Sequence, residues 1–392
     1  MRVPVSPPLA LSLGPDERAF LRRLVTYGFL VRAVLALVLE WTGYSTRFAP
    51  DEETYVVDGW QIALYWSGDL LLKPWRMSLH QPLGYFYLNG AFFYLFGQTE
   101  VPLKLVNAFL GAASGRYLYL LSRDLFGVAV ARAATRLFVF FPSIVLWSAV
   151  NIRDVWVVAL ILFVSFKSLQ VVRGYSGLAL FQLLLGIFAL TLFRDYLFYV
   201  VALPPVLALL IGRSQHMARN VVLAAAASLG VILLIQHGVV SEKTANRMSL
   251  EALSEVRRDM ATGGSAFHGQ VDISTPAKAL AFLPIGVAYF LFSPFPWEIT
   301  SVLKLFSLPE MVLIYGLTPA IVRGIRYAIQ ERFRDCFQII MLTGLLTVSY
   351  SLGEGNVGTL YRHRAQVLGF YLIFGALGRE LKSQERLTRQ AA

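Results

Sequence analysis

Long apolar runs alternate with short polar breaks along almost the whole chain, and each run is about as long as a bilayer is thick. Runs able to span lie at residues 24–41, 101–122, 131–150, 155–171, 177–193, 197–212, 220–236, 309–323, 336–352 and 366–378. About 20 apolar residues in a helix match the hydrocarbon core of a bilayer. The runs are continuous and lack the alternation of a membrane barrel, and a helix satisfies its own backbone hydrogen bonds in lipid. The pattern predicts an all-α, polytopic helical bundle, a single integral membrane domain over residues 1–392. Two further runs, 83–97 and 278–294, are ambiguous: the first is short and follows His80, Gln81 and Pro82, and the second closes on Ser293, Pro294, Phe295, Pro296 and Trp297. Proline and aromatic clusters of this kind suit an interface. The expected count is therefore about ten spans, within a range of 10–12.

Positive charge favours ten. With both ambiguous segments at the outer surface, the loops holding Arg123, Arg173, Arg213 with Arg219, and Arg323, Arg326, Arg332 and Arg334 all become cytoplasmic, as do both termini. If both ambiguous segments spanned, the loops of Arg123, Arg173, Arg213 and Arg219 would face outward, against the positive-inside bias. Three external loops result, over 43–100, 237–308 and 353–366, with the Asn151–Asp154 turn and the Arg194–Asp195 corner on the same side. In the first loop, Tyr55, Val56, Trp60, Ile62, Leu64, Tyr65 and Trp66 suit a helix lying in the interface plane. In the second, Ser249 to Asp272 reads as an external helix followed by a mobile loop at Gly263 and Gly264, a place for acceptor specificity.

Composition agrees with this reading. Of the 392 residues 56% are hydrophobic and 15% charged, against roughly 25% charged in an average soluble domain. The formal charge of +11 could suggest nucleic acid, but the cations cluster at the ends of apolar runs, so topology explains them and no nucleic-acid partner is expected. Cys336 is the only cysteine, which excludes an intrachain disulfide and a thiol redox pair. The first run is too long, with no small-residue cleavage site after it, for a removed signal peptide, and reads as a retained span.

The candidate chemistry begins at Asp51, Glu52 and Glu53, just beyond the first span. A solvated acidic loop would look the same. Between an apolar span and an interfacial helix, however, partial desolvation would raise a carboxyl toward the range of a useful base. Arg153, Arg194, Arg362 and Arg364 fall on the same external side. Arg153 could simply pair with Asp154, and Arg194 could mark a helix end. Arg362, His363 and Arg364 oppose the positive-inside bias, so an anion is expected to hold them there, either a membrane-lipid headgroup or a substrate phosphate. Arg32, inside the first span, should face the bundle interior.

The run Asp51, Glu52, Glu53, Thr54, Tyr55, then His80, Gln81, Pro82, Leu83, Gly84, Tyr85, then Asn107, Arg153 and Asp154, resembles the membrane glycosyltransferases of the GT-C superfamily. The branch most resembled is glycosyltransferase family 39, which holds protein O-mannosyltransferases and aminoarabinose transferases. Residues 1–200 carry most of the likeness, with a later part at Ser293 to Trp297 and Gly355 to Arg364. Glu53 is extra to the family pattern, and Gln81 stands where proline is often found.

The resemblance implies transfer of a sugar from a polyprenyl-phosphate carrier to a lipid, glycan or protein acceptor on the external face, in a bacterial plasma (inner) membrane. Asp51 and Glu52 match the family's acidic pair and Asp154 its second acid. Asp51 is the favoured base, with Glu52 and Glu53 open as alternatives. Glu52 and Asp154 would orient acceptor or metal, and Arg153, Arg194, Arg362 and Arg364, by charge and shared side, would hold the donor phosphate. A divalent cation, magnesium or manganese, is a candidate cofactor, with Asp51, Glu52 and His80 as its ligands. The rival readings are a lipid-linked glycan polymerase or ligase, which has no special need for the carboxylate pair, and a lipid or sugar flippase, which would need charges near span centres.

Overall fold

A computed structural model describes residues 13–78, 82–174, 176–212, 218–226, 249–261, 266–299, 305 and 307–391. Over these the chain is helical, with one isolated β-bridge between Ala266 and Asn356. His80, Gln81, Arg213, Gly263, Gly264 and most of the 220–236 run lie outside the described residues.

The first helix, α1 (Pro15–Thr42), starts with proline and two acids in its first turn and stops at Gly43, whose φ of 68° few other residues adopt. The one-turn α2 (Ser45–Phe48) leads to α3 (Asp51–Ser67). The three carboxylates 51–53 are the first turn of α3, where acids complement the helix dipole. Then α4 (Gly84–Phe96) folds back on α3 so closely that a Cβ on Gly90 would meet Ile62 at 2.7 Å. At 13 residues, α4 is about 20 Å long, short of a bilayer core.

Two runs read as single spans are each broken. Residues 101–122 become α5 (Val101–Ala113) and α6 (Gly115–Phe126), separated at Ser114. Residues 131–150 become α7 (Val128–Val139) and α8 (Pro142–Trp147). Pro142 causes the second break, because the residue before a proline is pushed to extended backbone, as Phe141 is. The remaining elements are α9 (Asp154–Gly174), α10 (Gly177–Phe193), α11 (Leu197–Ile211), α12 (Leu250–Met260), α13 (Pro276–Phe292), α14 (Leu308–Glu331), α15 (Phe333–Gly353) and α16 (Val357–Ala391). Four of them, α1, α9, α14 and α15, are long and apolar enough to cross a membrane, and α10, α11 and α13 are shorter apolar helices.

The expected external loop at 353–366 is the clearest departure. Only Glu354 to Asn356 separate α15 from α16, so Arg362, His363 and Arg364 sit on a helix and are buried. They read as loop because charges usually seek water; here each is satisfied inside the bundle instead. Glycines hold α16 in place: a Cβ on Gly324 would collide with Phe374 O, and one on Gly378 with Ala320 O, so α14 and α16 pack backbone to backbone.

Polar side chains collect at two rims. At one, Arg123 meets Glu17, Arg173 meets Asp335 and Asp124 O, Arg332 reaches Leu125 O, and Arg334 reaches Ile211 O. The other gathers the ends of α1, α10 and α15 and the starts of α3, α5, α9, α11 and α16. Between the rims Arg32 is fully buried, with Nε donating to Ser148 Oγ at 2.8 Å and Nη1 to Gly28 O at 2.9 Å.

Candidate active site

The second rim holds two charged centres. The first is built around Asp154, fully buried in the first turn of α9. It accepts from Arg194 Nη2 at 3.0 Å, Arg362 Nε at 2.8 Å and Gln366 Nε2 at 3.2 Å. Arg362 turns its Nη1 to Asp51 Oδ2 at 2.6 Å, so one guanidinium joins the start of α3 to the start of α9. Arg194 sits where α10 ends and donates to Tyr196 Oη at 2.6 Å. Arg153 Nη1 donates to Phe193 O at 2.9 Å, satisfying a carbonyl at the end of α10.

Asp51 opens onto a cavity of about 360 Å³. From α3 come Asp51, Thr54 and Tyr55; from the loop after it, Arg76; from α4, Phe86; from the turn before α9, Arg153; and from the α10–α11 corner, Arg194, Asp195 and Tyr196. Arg76 is fixed by Asp58 at 2.6 Å and lies over the Phe86 ring. The Nε atoms of both Arg153 and Arg194 are buried without an acceptor among the described residues. Unmet guanidinium donors beside a cavity suit an oxyanion, because arginine grips phosphate through two N–H groups.

Successive helical residues point about 100° apart, and Asp51 and Glu52 divide accordingly. The Asp51 side chain is 55% exposed, whereas that of Glu52 is 0% exposed. Glu52 belongs to the second centre, where Lys104 Nζ meets Glu52 at 2.8 Å, Glu40 at 2.5 Å and Glu100 at 3.3 Å. Glu52 also accepts from Ser45 Oγ and from Asn151 N at 2.8 Å. Asn151 continues to Asn89 and Tyr85, and Asn107 to Tyr85 and Trp156, so α3, α4, α5 and α9 share one buried polar network. Burial pushes the Glu100 carboxyl up to about 7, with Lys104 opposing and Glu52 adding to the rise.

Of the residues singled out in the sequence, Asp51, Asp154, Arg153, Arg194 and Arg362 come together. Glu52 and Arg364 do not join them. Arg364 donates to Phe290 O at 2.8 Å and to Ser293 O, and faces Glu310 at 3.8 Å, on the side of α16 that meets α13 and α14. His363 pairs with Glu354 at 2.6 Å and stacks on Tyr350. The expected cation ligands do not converge either: Asp51 is held by Arg362, Glu52 by Lys104, and His80 lies outside the described residues. Among the described residues no group of three or more His, Cys, Asp or Glu is placed to hold a metal.

Sequence reasoning missed Arg76, Lys104, Glu100 and Gln366. Arg76 carried a usable signal: it is a cation in a loop expected to be external, the same anomaly that marked residues 362–364.

Residues 80–239 match the family model described as dolichyl-phosphate-mannose-protein mannosyltransferase. Over that stretch the chain is similar to the GT-C type, family-39-like membrane glycosyltransferases, in agreement with the resemblance read from the sequence. The match includes Arg153, Asp154 and Arg194 but neither Asp51 nor Arg362, which geometry joins to them. It also begins later and runs further than the 1–200 likeness read from the sequence. No curated protein and no solved structure matches the chain.

Proposed function

We propose that this glycosyltransferase moves a sugar from a polyprenyl-phosphate carrier to an acceptor hydroxyl at the Asp51 cavity, on the non-cytoplasmic face of a bacterial inner membrane. The acceptor oxygen bonds to the anomeric carbon as the bond from that carbon to the phosphate oxygen breaks. Its proton passes to Asp51, and the lipid phosphate departs with the bonding pair. Arg153, Arg194 and Arg76 take the charge that develops on the phosphate. Asp154 is a positioning residue, since its oxygens are occupied by Arg194, Arg362 and Gln366. The observation that carries this reading is one cavity lined by the carboxylate of Asp51 and the guanidinium groups of Arg76, Arg153 and Arg194.

Charge supports this choice of face. Arg123, Arg173, Arg332 and Arg334 share the opposite rim, which the positive-inside bias assigns to the cytoplasm. The acceptor, whether lipid, glycan or protein, must then reach the site from outside.

The test supplies membranes containing the protein with labelled polyprenyl-phosphate sugars. Label should move to an acceptor, and Asp51→Asn should slow this by roughly 10²- to 10⁴-fold while donor binding persists. Undiminished transfer by Asp51→Asn would remove the base from the scheme.

A further inference from the structure

The opposite rim carries a second basic cavity, of about 440 Å³, between α1 and α7. Arg23 of α1 and Arg132 and Arg136 of α7 line it, against a single carboxylate, Asp16. Arg132 and Arg136 are one turn apart on α7 and both lie over the Phe20 ring, at 5.6 and 5.2 Å. The Nε of Arg132 is buried with no acceptor among the described residues. Arg136 sits two turns into α7, about 12 Å along the helix from Val128. A cation at that depth on a lipid-facing surface is costly unless an anion meets it.

We propose that this groove binds the headgroup of an anionic phospholipid in the leaflet opposite the transfer site. Its polarity runs the way a phospholipid does. The arginines stand toward the rim, while Tyr27, 61% exposed, and Phe140, 44% exposed, close the other end. From there α1 presents the exposed apolar stripe of Leu30, Val31, Val34 and Leu37, a surface for an acyl chain. A free phosphate would use the arginines and leave that stripe without a role. Basic pockets between helices near a cytoplasmic face are a known form of anionic-lipid site. The inference does not depend on the chemistry at the other rim.

The full chain in neutral detergent is titrated with phosphatidylglycerol, phosphatidylcholine or inorganic phosphate, and binding is read by native mass spectrometry alongside the thermal midpoint. Phosphatidylglycerol should bind on the order of 10-fold more tightly than phosphatidylcholine. The double variant Arg132→Gln/Arg136→Gln should bring that ratio near one. If the double variant does not fold, Arg136→Gln alone, at an exposed side chain, should still lower the ratio several-fold. Equal binding of the two lipids overturns the proposal, as does a ratio that survives these substitutions. A thermal shift reproduced in full by inorganic phosphate also overturns it, in favour of a soluble anion.

Discussion

The two charged centres at the site rim are near mirror images in charge. Around Lys104 stand three carboxylates, Glu40, Glu52 and Glu100, whereas around Asp154 stand Arg194 and Arg362, with Arg153 adjoining and the acids Asp51 and Asp195 beside them in the cavity wall. The acid-rich centre can balance itself by keeping a proton, which is what the raised Glu100 carboxyl does. Guanidinium groups have no such recourse, because they do not lose protons in proteins. The arginine-rich centre therefore keeps its cations at every physiological pH. One centre is a closed weld between helices, and the other lines the cavity proposed to receive the donor.

That contrast can be broken at five places beside the Asp51 test. The largest effect is expected at Lys104→Met, which leaves the buried Glu52 without its cation and should destabilise the protein by roughly 3–5 kcal/mol in an unfolding titration. Adding Glu52→Gln should recover part of the loss, and no recovery would mean the pair is not the weld described. Next, Arg153→Gln and Arg194→Gln should each weaken donor binding by about 1.5–3 kcal/mol, read as a raised KM for the lipid-linked sugar. A change confined to stability would assign both arginines to structure. Arg76→Gln should act in the same direction but less, because Arg76 is also tied to Asp58.

A further test of the contrast concerns pH. The Glu100 carboxyl at about 7 lies above its ordinary 4.5, so its contribution is complete below pH 4.5 and is lost as pH rises through 7. The thermal midpoint should fall over that window, with a slope no steeper than about 1.4 kcal/mol per pH unit. Glu100→Gln, neutral throughout, should flatten it, and an unchanged profile would locate the proton elsewhere.

Much of the receiving centre was legible in the sequence, because Asp51, Arg153, Asp154 and Arg194 flank apolar runs where little else is polar. The weld was not. Lys104 sits four residues into an apparent span, where a lone lysine looks like an interface anchor, and its three acids come from separate places in the chain. Residues 362–364 were found as cations and misplaced as a loop, since hydropathy treats every charge as seeking water. Glu354, Glu310 and Asp154 each satisfy one of the three in the interior. Adjacent acids misled in a similar way: Asp51 and Glu52 read as one pair, but one helical step sends them to different centres.

The contact from Arg362 to Asp51 closes a loop of 311 residues. A chain emerging from the ribosome has α3 in place long before α16 exists, and contacts so distant in sequence form late. No fragment ending before Arg362 holds the arrangement, so a nascent chain carries the acid at its surface with nothing yet to aim it. In the proposed scheme, competence to transfer a sugar would wait for α16.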